Sequence, residues 1–273
     1  MPELPEVETV RQTLKQFIIG KTIKVVNVHY EKMITPKDVS VFKTQLLGQT
    51  LQDIDRLGKY LLFKFDDIVL VVHLRMEGKF YLKNISSPKD KHDHITYVFD
   101  DDTTLVYNDV RKFGTHELKK PNTLYTTNPL MKLGYEPTDD RLTVSYLKNK
   151  LKTTRYIKPA LLDQTIVLGL GNIYVDEVLF CAKIRPTKRA FKITKKECAQ
   201  LIRCSQSVIK KAIALGGTTI RSYTDSLGVT GRFQNELMVH MQEHKPCKQC
   251  GTPIKKIKVA GRGTYYCPTC QKA

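Results

Sequence analysis

The sequence predicts an α+β chain: an N-terminal helix with an antiparallel β-sandwich, then a helical domain that ends in a short cysteine-bearing hairpin. Three observations carry this. Apolar residues recur at helical steps at the start of the chain. Short runs rich in Val, Ile, Tyr and Phe then follow one another as far as about residue 118, and beyond residue 141 the pattern becomes helical until two C-x-x-C pairs close the sequence.

In the first part, Leu4, Val7, Val10, Leu14, Phe17 and Ile18 fall at three- and four-residue steps, and Gly20 stops the helix they predict. TIKVVNVHY, KYLLFKF, DIVLVVHL, KFYL, HITYVF and TTLVYN read as strands, punctuated by Asp66-Asp67, Gly78-Lys79 and Asp101-Asp102. Such spacing suggests an antiparallel sandwich, giving a first domain over 2–118. Residues 119–140 are rich in Pro, Asn and Thr and read as a linker. In the second part, Leu142–Leu151, Lys158–Gln164, Tyr174–Ala182 and Lys195–Leu215 read as helices of a domain over 141–240, with Gly216-Gly217 ending the last. Residues 217–235 are polar, glycine-bearing and aperiodic, a long surface loop of the kind that tends to be functional. The last segment, 241–273, holds the cysteine pairs.

The charge is one-sided: 45 Lys and Arg against 27 Asp and Glu, a formal +18 over 273 residues. An excess of this size points to a polyanion, because cations that neutralise phosphates release condensed counterions. No apolar run approaches the roughly 20 residues that cross a bilayer. The N-terminus carries acids where a secretory signal carries bases, so a cytoplasmic protein without a membrane partner is expected.

Cys247 and Cys250 are followed after 16 residues by Cys267 and Cys270, the spacing of a four-thiolate zinc site. The intervening residues suffice for a β-hairpin. A segment too short for its own core takes much of its folding energy from the metal, so one structural zinc ion is expected. Between the pairs, KKIKVAGRGTYY places Arg262 beside glycines, where a hairpin tip would present it to a phosphate. The other three cysteines, Cys181, Cys198 and Cys204, stand alone; an odd total argues against a disulfide framework and reads them as buried small hydrophobes.

Met1 precedes a small residue, so its removal is expected, exposing Pro2 as a secondary amine. An α-amino group titrates at about 7.7–8.0, and its neutral form can attack carbon to give an iminium. Glu3, Glu6 and Glu8 follow at once and could supply a proton. On composition alone these are equally ordinary residues of a helix start.

PELPEVET, LGLGNIYVDEVLF and the four-cysteine element occur together, with HLRMEGKF, KHDH, DVRKFGT and GGTTIRSY between them in order. Along its whole length the chain resembles the formamidopyrimidine-DNA glycosylase family. The resemblance implies a β-sandwich, a helix–two-turns–helix domain and a zinc finger, with damaged duplex DNA between the halves. It implies a glycosylase and AP lyase of base excision repair that removes oxidised purines through a Schiff base on Pro2. Glu3 then assists ring opening, and β,δ-elimination follows. Lys59 resembles the family's proton donor for β-elimination, Arg262 the finger arginine tied to δ-elimination and phosphate binding, and Glu6 a further acid near the extruded nucleotide. Met76, Arg111 and Phe113 match the wedge that fills the hole, since a base inside a duplex must be flipped out to be reached. His92, Lys158 and Asn172 match phosphate contacts, and Thr218, Thr219 and Tyr223 lie in the segment that caps the damaged base. Where some relatives read HLGMSG this chain has Arg75 and Glu77, and where some carry lysines it has Thr153 and Thr154, to which no phosphate contact is assigned.

Three other readings compete. The sister glycosylase endonuclease VIII uses the same proline chemistry on oxidised pyrimidines, though it departs from PELPEVET. A non-enzymatic zinc DNA-binding protein explains the charge and the finger but leaves Pro2 and Glu3 without a task. A ribosome-associated zinc protein fits the large β-rich half poorly. One active site on one duplex makes a monomer sufficient.

Overall fold

The computed structural model describes residues 2–218 and 231–272. Two compact units are present, one running up to Met131 and one built from Lys132–Thr218 and the stretch from Arg232. The division falls within the Pro-, Asn- and Thr-rich stretch.

The first unit opens with α1 (Leu4–Ile18), whose Leu4, Val7, Val10, Leu14 and Ile18 are buried as the periodicity requires. Phe17 departs from it and is 40% exposed. Two sheets follow. One is wholly antiparallel, ordered β1 (Ile23–Val28), β7 (Asp93–Phe99), β8 (Thr103–Asn108), β6 (Lys79–Asn84). The other runs β2 (Ile34–Thr35), β9 (Thr115–Lys119), β5 (Val69–His73), β4 (Tyr60–Lys64), β3 (Asp53–Leu57). It is antiparallel except where β2 lies parallel to β9. A short helix α2 (Val39–Leu46) interrupts the β-rich text and buries Phe42 and Leu46. Helices and sheets share one apolar core, in which Leu61, Phe63, Leu70, Val72, Phe80, Tyr97, Phe99 and Tyr107 meet Val7, Val10 and Leu14 of α1. Each fully buried side chain of this kind stabilises the fold by about 1.5–3 kcal/mol.

The second unit contains α3 (Val144–Lys150), α4 (Ile157–Leu161), α5 (Asn172–Cys181) and α6 (Lys195–Ala214), then the hairpin β10 (Lys255–Val259) and β11 (Arg262–Tyr266). Thr194 and Glu197 cap α6 reciprocally. One expectation is corrected here. Cys181 and Cys204 are not separate buried hydrophobes but a disulfide joining α5 to α6, with Cα atoms 5.8 Å apart. Packing of the two helices brings together thiols that are 23 residues apart in sequence. Cys198 is free and buried, as expected. No helix among the described residues is long and apolar enough to cross a membrane.

Candidate active site and metal centre

Pro2 stands immediately before α1, and Glu3 is that helix's N-cap. The first turn is locked by a capping box: the Glu3 side chain takes the Glu6 amide, and Glu6 Oε2 accepts the Glu3 amide at 2.8 Å. Both carboxyls are buried; that of Glu6 points back to the residue that follows Pro2, while that of Glu3 points forward into the first turn. Glu8 has a different task from that of its neighbours. Burial pushes its carboxyl up, but hydrogen bonds and charge from Arg11 and Arg56 outweigh this and hold it at about 2, so it is no proton donor near neutrality.

Glu8 does connect the helix to the next candidate. Arg56 of β3 donates to Glu8 Oε2 at 2.8 Å and to the Gly58 carbonyl at 3.1 Å. Gly58 (φ 58°) and Lys59 form the two-residue turn between β3 and β4, a left-handed position that suits glycine. Lys59 is buried. His73 lies across the β4–β5 ladder from Tyr60. Burial, then the charges of Arg75 and Lys59, lower its pKa to about 3, so His73 is neutral. Its Nδ1 accepts the Arg75 amide at 2.9 Å, bending the 74–78 turn that carries Met76. His92, half-buried, lies on a turn where its amide donates to Asp90 at 2.8 Å, and its carbonyl accepts the Asp109 amide at 3.1 Å. Arg111 and Phe113 stand on the adjoining loop, both exposed, with the guanidinium carbon 4.7 Å from the ring centroid.

In the second unit the four cysteines come together. Their sulfurs lie within 4.8 Å of one another, with Cys247 and Cys270 at 3.9 Å and Cys250 and Cys267 at 3.5 Å. Bonds of about 2.3 Å in a tetrahedron give sulfur–sulfur edges of about 3.8 Å, so the donor set fits one structural zinc ion. The hairpin turns at Ala260 (φ 46°) and Gly261 (φ 77°), and Arg262, the first residue of β11, is exposed.

Lys158, expected as a phosphate contact, is drawn inward instead, whereas Asn172, expected as another, stays half-buried. The Lys158 side chain is fully buried, 2.7 Å from Asp176 Oδ1 and 3.0 Å from the Gly263 carbonyl. The amide of Asn172 donates to that same carbonyl at 3.1 Å. The physical reason is Asp176 of α5, which is wholly buried and also receives His240 Nδ1 at 2.8 Å. A buried carboxylate requires a cation, and Lys158 supplies it. Next to it, Glu177 accepts the amides of Met238, Val239 and His240 at 2.9–3.0 Å; burial raises its pKa although these amides pull the other way. Gln164 braces the turn before α5, bonding Leu162, Leu170 and Gly169. Sequence reasoning missed Asp109, His73, Gln164 and Asp176. Only Asp109 carried a usable sign, an Asp opening a short loop that closes on glycine. Thr218 is buried; Thr219 and Tyr223 lie outside the described residues.

Comparison with known proteins agrees along the chain. Residues 1–116 match the formamidopyrimidine-DNA glycosylase N-terminal domain, residues 133–224 its H2TH domain, and residues 245–273 the zinc finger found in FPG and IleRS. The chain is 50% identical over 273 residues to the formamidopyrimidine-DNA glycosylase of Oceanobacillus iheyensis, covering 99% of this chain and 98% of that one. With the Bacillus licheniformis protein of the same name it is 51% identical, each covered in full. The Lactococcus lactis Fpg bound to DNA containing an abasic site superposes with a TM-score of 0.93 at 46% identity, covering 99% of this chain and 100% of that one. The same enzyme bound to N7-benzyl-Fapy-dG DNA gives 0.93 at 46% identity, each chain covered in full. With a sandwich, a helical domain and a four-cysteine finger matched in order, this chain belongs to the formamidopyrimidine-DNA glycosylase family.

Proposed function

We propose that this protein is a DNA glycosylase of base excision repair that removes oxidised purines from duplex DNA and then cleaves the strand as an AP lyase. The named relatives and the solved complexes with abasic-site and N7-benzyl-Fapy-dG DNA support the substrate, and the net charge of +18 suits a phosphate backbone. The same relatives favour purines over the oxidised pyrimidines of the sister enzyme.

The neutral Pro2 nitrogen attacks the sugar C1′. The bond from C1′ to the base breaks, and the electron pair and a proton leave with the base. Opening of the sugar ring, with a proton delivered to the ring oxygen by Glu3, leaves an iminium between Pro2 and C1′. Loss of the 2′ proton then expels the 3′ phosphate, with Lys59 as proton donor, and a second elimination, assigned to Arg262, expels the 5′ phosphate. Glu6 keeps Glu3 in place through the capping box. Met76, Arg111 and Phe113 fill the space left by the extruded nucleotide, and His92 contacts the backbone. The zinc ion, when bound, holds the finger that presents Arg262.

The observation that carries this reading is the reciprocal Glu3–Glu6 cap, which fixes a buried carboxyl beside the residue that bears the amine. Borohydride reduction on a duplex with one oxidised guanine opposite cytosine tests it. A covalent adduct mapping to Pro2 is expected. Glu3→Gln should slow excision by about 10²–10⁴-fold while duplex binding persists. Normal excision by Glu3→Gln, or tight binding without any adduct once Met1 is shown to be absent, would overturn it.

A further inference from the structure

Two loops of the first unit carry the three side chains assigned above to the wedge. Each passes through a left-handed residue that is not glycine: Arg75 (φ 54°) just before Met76, and Lys112 (φ 57°) between Arg111 and Phe113. That conformation is unfavourable for an L side chain and persists only where the surroundings impose it.

The 110–114 loop is imposed from inside by one side chain. Asp109 is wholly buried. Its Oδ1 accepts the Arg111 amide at 2.9 Å, and its Oδ2 accepts the amides of Phe113 and Gly114, each at 2.9 Å. The backbone of Asp109 is clamped in turn: its amide donates to the His92 carbonyl at 3.1 Å, and its carbonyl lies 2.9 Å from His94 Nε2. The second constraint is the Tyr107 hydroxyl, which donates to Asp109 Oδ2 at 3.5 Å. A Cβ added to Gly78 would stand 2.0 Å from this hydroxyl, and one added to Gly114 would stand 1.6 Å from it. The last residues of both loops therefore close on the same oxygen. On the outer side, the Arg111 guanidinium stacks over a Phe113 ring that is 50% exposed.

We propose that Asp109, with the Tyr107 hydroxyl, is the positioning group of the wedge. Its carboxylate holds Arg111 and Phe113 as one preformed pair, and the hydroxyl sets the distance of that pair from the Met76 loop. The proposal rests on the reading that these three side chains fill the hole left by the flipped nucleotide. A loop without the carboxylate would have to become ordered at the moment of insertion, which slows extrusion. Asparagine is the sharp substitution: it keeps the shape but offers one acceptor oxygen for three amides and turns an NH₂ towards the rest.

The test is a cycle on the full-length protein, reading single-turnover excision from a duplex with one oxidised guanine opposite cytosine, with a 2-aminopurine beside the lesion to report unstacking. Wild type is compared with Asp109→Asn, with Arg111→Ala/Phe113→Ala, and with the three changes together. Asp109→Asn should slow excision and the fluorescence rise by about 30-fold, the size expected for lost hydrogen bonds to a charged group. In the Arg111→Ala/Phe113→Ala background it should cost less than about 2-fold, because it acts through those residues. An unchanged Asp109→Asn rate overturns the proposal, and so does a full 30-fold loss in that background. Normal excision by Arg111→Ala/Phe113→Ala overturns the wedge reading itself, which separates the two failures. If Asp109→Asn melts far below wild type, Tyr107→Phe, which removes a single oxygen, is run through the same cycle with the same criterion.

Discussion

The 110–114 loop and the 260–261 turn each lead to one exposed arginine, Arg111 and Arg262, and different physics holds them. The first lies on a sandwich whose helices and sheets share a continuous apolar core, so a single buried carboxylate, Asp109, is enough to finish the loop. The second begins a strand of a hairpin whose own apolar cluster is small. Phe180, Val239, Cys247, Ile254 and Cys267 form it, and two of these are metal ligands. What fixes the hairpin is the cysteine cluster at one end and a buried charge network at the other, where Asp176, Lys158 and His240 gather and the Gly263 carbonyl receives Lys158 and Asn172. A segment too short to bury much apolar surface relies on a metal and on paired charge.

Four experiments would break or sharpen this contrast. Removing the metal with a chelator, or Cys247→Ser, has the largest expected effect. Structural zinc contributes on the order of 10 kcal/mol to such fingers, so the hairpin should unfold and DNA affinity should fall, while the circular dichroism of the β-rich unit persists. Unchanged affinity would take the finger out of the DNA interface. Asp176→Ala comes next, leaving Lys158 buried without its carboxylate at a cost of about 3–5 kcal/mol. Calorimetry should show the loss in the second unit's transition alone. Cys181→Ser should lower the oxidised protein's stability by about 3 kcal/mol, from the loop of 23 residues that the disulfide closes, and should not change the reduced protein. A variant as stable as the wild type under oxidising conditions would show that the bond does not form in solution.

The last effect is graded by acid and belongs to the first unit. Burial holds His73 and His116 neutral, with pKa values of about 3 against the ordinary 6.5. The unfolded chain therefore takes up their protons first. Their contribution is fully present above pH 6.5 and is lost as pH falls from there towards 3, by about 1.4 kcal/mol per pH unit for each. Glu8, held at about 2 against 4.5, adds a loss of the same sign below pH 4.5. A melting temperature flat between pH 7 and 4.5 would refute the buried-neutral assignment, and His116→Gln should flatten part of the slope.

Much was legible beforehand because it depends on local spacing. Helical steps placed α1, β-branched and aromatic runs placed six strands, and two C-x-x-C pairs placed the metal. What escaped lacked such a pattern. DIDRL of β3 and THELK of β9 are too charged to read as strands; they pair because neighbouring strands offer them ladders. The α2 helix is only eight residues long and sits within β-rich text.

Of the site, the sequence determined the residue types and the order in which they occur: the amine and carboxyl at the start, the lysine of the β3–β4 turn, the loop with its arginine and phenylalanine, the four thiols. Tertiary structure alone decided how each charge is used. Lys158 reads as a phosphate ligand until Asp176 is found 2.7 Å away and Gly263, 105 residues on, is found at its ammonium. Glu8 reads like Glu3 and Glu6 until Arg56 reaches it from β3. Periodicity and ligand spacing act over a few residues and are written locally. The partner of a buried charge is whatever the fold brings to it, and burial makes that partner decisive.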